Sequence, residues 1–72
     1  MASCEGMKTS WPELVGEEGE IARATIETEV PWIEVVIVSE GAAPDIPLDY
    51  RCDRVWIWLN RRGIVTTVPL VA

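Results

Sequence analysis

The sequence lacks several residue types on which common protein functions depend. It contains no histidine, so no histidine-dependent catalytic triad can form and no histidine is available as a metal ligand. Six Lys and Arg residues stand against twelve Asp and Glu residues, and the net charge of -6 argues against binding to nucleic acid and to acidic partner surfaces. The sequence has no glycine-rich phosphate-binding loop, and a chain this short leaves little room for a concave active site. We therefore expect neither an enzyme nor a cofactor.

Long apolar runs are also missing. The longest, VPWIEVVIV at residues 30–38, is interrupted by Glu34 and is too short to cross a bilayer, so no membrane association is expected. The first residues, MASCEGMKTSW, show no basic end followed by an apolar stretch, and hence no visible signal peptide. A mature or recombinant chain would lack one as well, so secretion stays open.

The 72 residues predict a single domain, residues 1–72, whose core buries roughly 60% of the surface of the unfolded chain. Domains of this size usually need additional stabilisation, such as a disulfide or a bound metal. Cys4 and Cys52 match no zinc-site spacing, which favours a disulfide between them over two reduced thiols in a cytosolic protein. Such a bridge would stabilise the fold by roughly 4 kcal/mol in the chain-entropy model. It would also indicate a secreted or vacuolar location.

One helix is predicted in the first half of the chain. The segment TSWPELVG at 9–16 has the proline and glycine punctuation of a turn or short helical bend. Residues 18–29 then show helical spacing, and Pro31 ends the helix. The face predicted to be buried carries Ile21, Ala22, Thr25 and Ile26.

Three strands are predicted after the helix. Residues 32–39 and 54–60 are rich in β-branched and aromatic side chains, which is typical of strands. The RRG triplet at 61–63 predicts a turn. A third, shorter strand at 64–69 is predicted to pair antiparallel to the second across this turn.

The connection between the first two strands is long for a compact domain, in which about 4–6 residues are usual. Long ordered loops are often functional. Pro44 and Pro47 restrict the shapes of this loop, and Arg51 and Arg54 offer planar groups that can hold carboxylates or carbonyls in fixed geometry. The loop is therefore predicted to be pre-shaped for recognition by another molecule.

Three segments, SWPELVG, ARATIE and LDYRCDRVWIWLNRRGIVTTVP, together resemble the potato inhibitor I family of serine protease inhibitors. The resemblance covers nearly the whole chain. It implies an α+β fold in which one helix packs on a small mixed sheet, with an extended protease-binding loop between the two central parallel strands. It also implies a monomer that inhibits chymotrypsin-like and subtilisin-like serine proteases tightly and reversibly, with roles in plant defence and the response to wounding.

The resemblance also assigns roles to individual residues. The stretch LDYR places the reactive bond at Leu48–Asp49, within a binding loop at 42–51. The residues implied to contact the protease are Asp45, Ile46, Pro47, Leu48, Asp49 and Tyr50. Arg51 and Arg54 are implied to support the loop through hydrogen bonds to its backbone or acidic groups. Trp56 stands where several relatives have a further arginine, so packing replaces one polar support there.

Two further features depart from the family pattern. Pro47 replaces a threonine that donates a hydrogen bond within the loop, so stiffness is kept but that bond is lost. Between Gly41 and Leu48 the loop is two residues longer than in the relatives. Counting forward from Gly41 would place the reactive bond after Ile46, a register that we reject because serine proteases accommodate proline poorly after the scissile carbonyl.

Other interpretations of the same residues are weaker. The four tryptophans could form a stacking platform, but aromatic residues in strands more often fill cores and cover faces. Asp45, Asp49 and Asp53 recur every four residues, yet the prolines prevent one helix from aligning them and no calcium-loop pattern follows, so no metal site is expected. The alternative function is a module that pairs a partner strand with an exposed sheet edge. This alternative predicts that substitution of Leu48 does not affect binding of the partner.

Overall fold

The computed structural model describes residues 6–39 and 51–72, and in these one helix packs on a three-stranded sheet. In chain order, the elements are a 3-10 helix at Pro12–Leu14, α1 at Gly19–Glu29, β1 at Glu34–Ser39, β2 at Arg54–Leu59 and β3 at Leu70–Val71. The sheet order is β1-β2-β3. The predicted α+β class with a small mixed sheet is confirmed.

The helix forms where the 3.6-residue pattern places it. Ala22 and Ile26 are buried on its inner face, and the N–H of Val30 donates to the carbonyl of Ile26 at 2.8 Å where the helix ends. Pro31 follows and cannot continue the helical hydrogen bonds. One detail was wrong: Ile21, which was predicted to be buried, is exposed, because the contact with the sheet centres on Ala22 and Ile26.

The first two strands form the centre of the fold. β1 and β2 run parallel, with Glu34 opposite Arg54 at one end and Ser39 opposite Leu59 at the other. Both strand predictions are confirmed, although β1 begins later than expected because Trp32 belongs to the turn after the helix. Side chains alternate along β2. Val55 and Ile57 consequently enter the core, whereas Trp56 and Trp58 lie half-buried on the opposite face of the sheet.

The predicted strand at 64–69 was wrong as a regular element, although its antiparallel contact with β2 is present as one bridge between Leu59 and Val65. The RRG turn is present, but Ile64 and Val65 make only isolated bridges. Val65 lies opposite Leu59, and this pair is flanked by the bonds from the Asn60 N–H to the Ile64 carbonyl at 2.9 Å and from the Thr66 N–H to the Trp58 carbonyl at 3.1 Å. On its other side the Val65 N–H donates to the carbonyl of Glu17 and the Val65 carbonyl accepts from Gly16, both at 2.9 Å. The chain leaves β2 after Thr66. Regular antiparallel pairing with β2 resumes only in β3, where Val71 lies opposite Val55.

The core lies between the helix, the sheet and the amino-terminal bend. Its buried apolar members are Trp11, Leu14, Ala22, Ile26, Ile33, Val55, Ile57, Val65 and Val71. The 9–16 segment packs against this core, as predicted, and its Trp11 is fully buried. Trp32 is the exception among the tryptophans, since 62% of its surface is exposed. The other three tryptophans therefore have structural roles, as the sequence indicated.

Candidate functional site

The central part of the predicted binding loop lies outside the residues that the structure describes. Outside them are the predicted reactive bond, the predicted protease contacts and one cysteine, namely Asp45, Ile46, Pro47, Leu48, Asp49, Tyr50 and Cys4. The segment from Gly41 to Leu48, with its insertion, also falls there. The described residues show instead how this loop is attached to the body of the protein, at Ser39 on one side and at Arg51 on the other.

The two attachment points belong to opposite ends of one strand pair. Since β1 and β2 are parallel, the chain leaves β1 where both strands finish and enters β2 where both strands begin. At this second end the N–H of Glu34 donates to the carbonyl of Asp53 at 2.8 Å. This bond joins the returning chain to β1 before β2 starts, so the carboxyl side of the loop is fixed to both strands.

Arg54 is held deep in the second attachment. Only 7% of its surface is exposed, and its Nε donates to the carbonyl oxygen of Ala72 at 2.9 Å. Trp56 Nε1 donates to the same oxygen at 3.0 Å, and the guanidinium carbon of Arg54 lies 5.2 Å from the centroid of the Trp56 ring. The backbone N–H of Ala72 in turn donates to the Arg54 carbonyl at 3.1 Å. Two predicted loop-supporting residues are thereby brought together on one backbone acceptor.

Arg51 makes a different set of contacts. Its Nε and Nη2 each lie 2.9 Å from a carboxylate oxygen of Asp53, a bidentate arrangement that fixes the plane of the guanidinium. Nη2 also lies 3.5 Å from Glu34 Oε1 on β1. The hydrogen-bonded Arg51 guanidinium holds the pKa of Asp53 below its ordinary value. Asp53 is therefore a carboxylate at neutral pH.

The sequence did not identify every participant in these contacts. Asp53 was noted only as one of three aspartates that recur every four residues, and Glu34 only as an interruption of an apolar run. The register of β1 with β2 would have placed Glu34 at the same sheet end as Arg54. Ala72 acts through its backbone carbonyl, and no side-chain pattern signals such an acceptor.

Cys52 lies half-buried in the turn that leads into β2. Its predicted partner Cys4 is outside the described residues, so the disulfide stays a prediction. In the described ranges, 6–39 and 51–72, no three His, Cys, Asp or Glu side chains are grouped so that they could hold a metal ion. No helix in those two ranges has the length and apolar character needed to cross a membrane.

Comparison with known proteins places the chain in one family. The model of the Potato inhibitor I family matches residues 3–72. The inhibitor of trypsin and Hageman factor from Cucurbita maxima is 46% identical over 70 residues, which are 97% of this chain and 98% of that protein. A trypsin/subtilisin inhibitor from Amaranthus caudatus is 43% identical over 68 residues, 94% of each chain.

Solved structures give the same result for the fold. The crystal structure of bitter gourd trypsin inhibitor superposes with a TM-score of 0.81 at 44% sequence identity, and the match covers 99% of this chain and 100% of the inhibitor. The relatives carry the names of inhibitors rather than enzymes. The expectation that the chain is not an enzyme is thus confirmed by its relatives.

Proposed function

Since the chain belongs to the potato inhibitor I family of serine protease inhibitors, we propose that it inhibits chymotrypsin-like and subtilisin-like members of this protease class. Binding takes place through the loop at 42–51, with Leu48–Asp49 as the reactive bond. The protease contacts are Asp45, Ile46, Pro47, Leu48, Asp49 and Tyr50. The inhibitor acts as a monomer and needs no cofactor.

In the proposed mechanism the binding loop enters the protease active site as a substrate would, but the loop is too rigid for the cleaved product to dissociate readily. Leu48 enters the primary specificity pocket, and its carbonyl is presented to the catalytic serine of the protease. After cleavage the new ends stay adjacent, so resynthesis of the bond competes with loss of product. A loop that is ordered before binding also avoids the cost of ordering during binding. Inhibition then depends on how firmly the loop is attached.

The observation that supports this mechanism best is the attachment on the carboxyl side of the loop. The six residues after Tyr50 make three sets of contacts. Arg51 makes a bidentate contact with Asp53, and the Asp53 carbonyl accepts the 2.8 Å bond from Glu34. Arg54 and Trp56 both donate to the carbonyl of Ala72. An ordinary surface loop requires no such series of fixed contacts. We assign Arg51, Arg54 and Trp56 to loop support on this basis.

Leu48 sets the expected specificity. Its side chain is apolar and unbranched at Cβ, which suits the deep apolar pockets of chymotrypsin-like and subtilisin-like proteases. The trypsin pocket contains a buried aspartate that requires Lys or Arg, and leucine would leave that charge without a partner. The Amaranthus relative is named as an inhibitor of both trypsin and subtilisin. For this chain we expect subtilisin to be inhibited well and trypsin poorly.

The predicted disulfide between Cys4 and Cys52 completes the proposal. Cys52 follows Arg51 directly, so a bridge from it would tie the amino-terminal segment to the base of the loop. Such a bridge forms in oxidising compartments, which agrees with a secreted or vacuolar inhibitor. The name of a tomato relative, wound-induced proteinase inhibitor 1, is consistent with a role in plant defence.

Inhibition assays test this proposal directly. Inhibition constants of the parent protein are measured against chymotrypsin, subtilisin and trypsin, with a small active-site ligand of each protease added as competitor. The proposal predicts competition with that ligand and cleavage at Leu48–Asp49 alone. The alternative function starts from β1, which is an edge of the described sheet and could pair with a partner strand. Absence of inhibition of all three proteases would favour that alternative.

A further inference from the structure

The contacts of Arg51 point to a device at the loop base that the family resemblance does not assign. We call Arg51, Asp53 and Glu34 together the Arg51 clamp. The resemblance directs Arg51 toward the binding loop, and the structure places its Nε and Nη2 on the Asp53 carboxylate at 2.9 Å each. Glu34 Oε1 approaches the same Nη2 at 3.5 Å. The guanidinium therefore engages two carboxylates of the protein body.

The two carboxylates lie where the returning chain joins β1 and β2. Asp53 is the last residue before β2, and Glu34 is the first residue of β1. Their backbones are already joined by the 2.8 Å bond from the Glu34 N–H to the Asp53 carbonyl. A guanidinium that contacts both side chains closes a small ring of interactions around this junction. The ring includes the backbone of residues 51–53, which is the segment that carries the loop back into the sheet.

The geometry is better than that of an average surface ion pair. Exposed pairs usually contribute little because two flexible side chains must be ordered and the attraction is screened by water. A bidentate contact restrains the arginine through two bonds at once, and here arginine and aspartate are only two residues apart. The pKa of Asp53 is lowered with the Arg51 hydrogen bond as the largest cause. Arg54 also attracts this carboxylate, as a weaker cause.

We propose that Glu34 and Asp53 are positioning residues, which hold the Arg51 side chain so that the carboxyl side of the binding loop is fixed to β1 and β2. They act through Arg51 and do not touch the protease. Loss of these contacts should shorten the time for which the inhibitor stays active, because a less firmly attached loop lets the cleaved ends separate. The first docking of the loop with the protease should not change. This inference rests on the proposed inhibition through the loop at 42–51.

The experiment compares a double variant, Glu34→Gln with Asp53→Asn, with the parent protein. Both changes keep the side-chain size and remove the charge. Glu27→Gln is the matched control, since Glu27 is a similarly exposed glutamate that pairs with Arg23 on the helix at 3.6 Å. Two quantities are measured: amide hydrogen exchange of residues 51–53 in the free protein, and the rate of cleavage at Leu48–Asp49 by catalytic amounts of subtilisin.

The double variant is expected to show exchange and cleavage faster by about two- to fivefold, the range that corresponds to an exposed ion pair. Its initial inhibition constant should stay within about twofold of the parent value. In 1 M salt, where exposed charges are screened, parent and double variant should converge. Glu27→Gln should behave as the parent throughout.

Exchange and cleavage that both equal the parent values would overturn the proposal. A second variant, Arg51→Lys, keeps the charge but loses the bidentate contact and should match the double variant. If Arg51→Lys weakens initial inhibition while the carboxylate variant does not, Arg51 contacts the protease directly and the clamp is wrong. If the parent inhibits no protease, the proposed function fails, whereas faster exchange in the double variant would still establish the clamp.

Discussion

Replacing Arg54 with alanine is expected to destabilise the fold and to turn the inhibitor into a slow substrate. The change removes a charge-assisted hydrogen bond from a side chain that is 7% exposed, and such bonds contribute about 1.5–3 kcal/mol. It also removes the contact with the Trp56 ring, which contributes about 0.5–1 kcal/mol. The Ala72 carbonyl keeps Trp56 Nε1 as a donor, so this oxygen is not left without a partner. We therefore expect a loss near the lower end, about 2 kcal/mol in the free energy of unfolding.

For a domain of this size that loss corresponds to a fall in Tm of about 8–16 °C. Urea unfolding at neutral pH measures the free energy, and Arg54→Lys is the control that keeps the charge without the Nε contact. The functional assay is a long incubation with subtilisin, in which the recovered protease activity and the Leu48–Asp49 cleavage product are followed over time. Arg54→Ala should inhibit at first, because Leu48 is unchanged, and then lose inhibition sooner than the parent.

The opposite result would refute the reasoning in a specific way. If Arg54→Ala unfolds within about 0.5 kcal/mol of the parent and resists cleavage for as long, the Ala72 contact supports neither the fold nor the loop. The loop would then be held by Pro44, Pro47, Trp56 and the predicted disulfide, and the arginine support that the family resemblance implies would not operate in this chain.

Three further predictions concern the elements around the loop. Asn60→Ala should cost about 1 kcal/mol in urea unfolding, because the Asn60 Oδ1 accepts from two backbone amides of the following turn at 2.8 and 3.0 Å; Asn60→Asp, which keeps the acceptor, should cost less. Arg51 lowers the pKa of Asp53, so this carboxylate stabilises the fold at neutral pH and the contribution is lost as the pH falls below about 5; the stability difference between parent and Asp53→Asn should vanish at low pH. Reduction should lower Tm if Cys4 and Cys52 are bridged, whereas two free thiols in the mass of the non-reduced protein would contradict the bridge.

The fold could be predicted from the sequence where one local signal dominates. The helix was found because its apolar positions recur at helical spacing and Pro31 ends it. β1 and β2 were found because β-branched and aromatic residues are concentrated there, and their burial on the shared core agrees with that pattern. In both cases local propensity and tertiary packing favour the same structure.

The extent of the third strand could not be predicted because composition does not show where the chain leaves β2. Residues 64–69 have a β-type composition, but their antiparallel contact with β2 ends at Thr66, whose N–H donates to the Trp58 carbonyl at 3.1 Å. Pro69 also has no N–H to donate to a sheet. The actual pairing in β3 involves only Leu70 and Val71, a segment too short to give a periodic signal.

The site was predictable in part for similar reasons. Arg51 and Arg54 were identified through the family resemblance of the segment that contains RCDRV at 51–55, but their partners were not. Glu34 is distant from Arg51 along the chain and joins it only through the parallel register of β1 and β2. The Ala72 carbonyl is a backbone group brought to Arg54 by β3. Contacts of this kind are set by topology and leave no local pattern in the sequence.

The central claim, that this chain inhibits serine proteases with Leu48 in the specificity pocket, is tested most directly by exchanging that residue. Inhibition constants are measured for the parent, for Leu48→Arg and for Thr28→Arg, a control that adds the same charge at an exposed helix position. The parent should prefer chymotrypsin and subtilisin over trypsin, Leu48→Arg should reverse the preference by about two orders of magnitude, and Thr28→Arg should leave it unchanged. A parent protein that inhibits trypsin better than the other two proteases, or a Leu48→Arg variant with unchanged preference, would contradict the account.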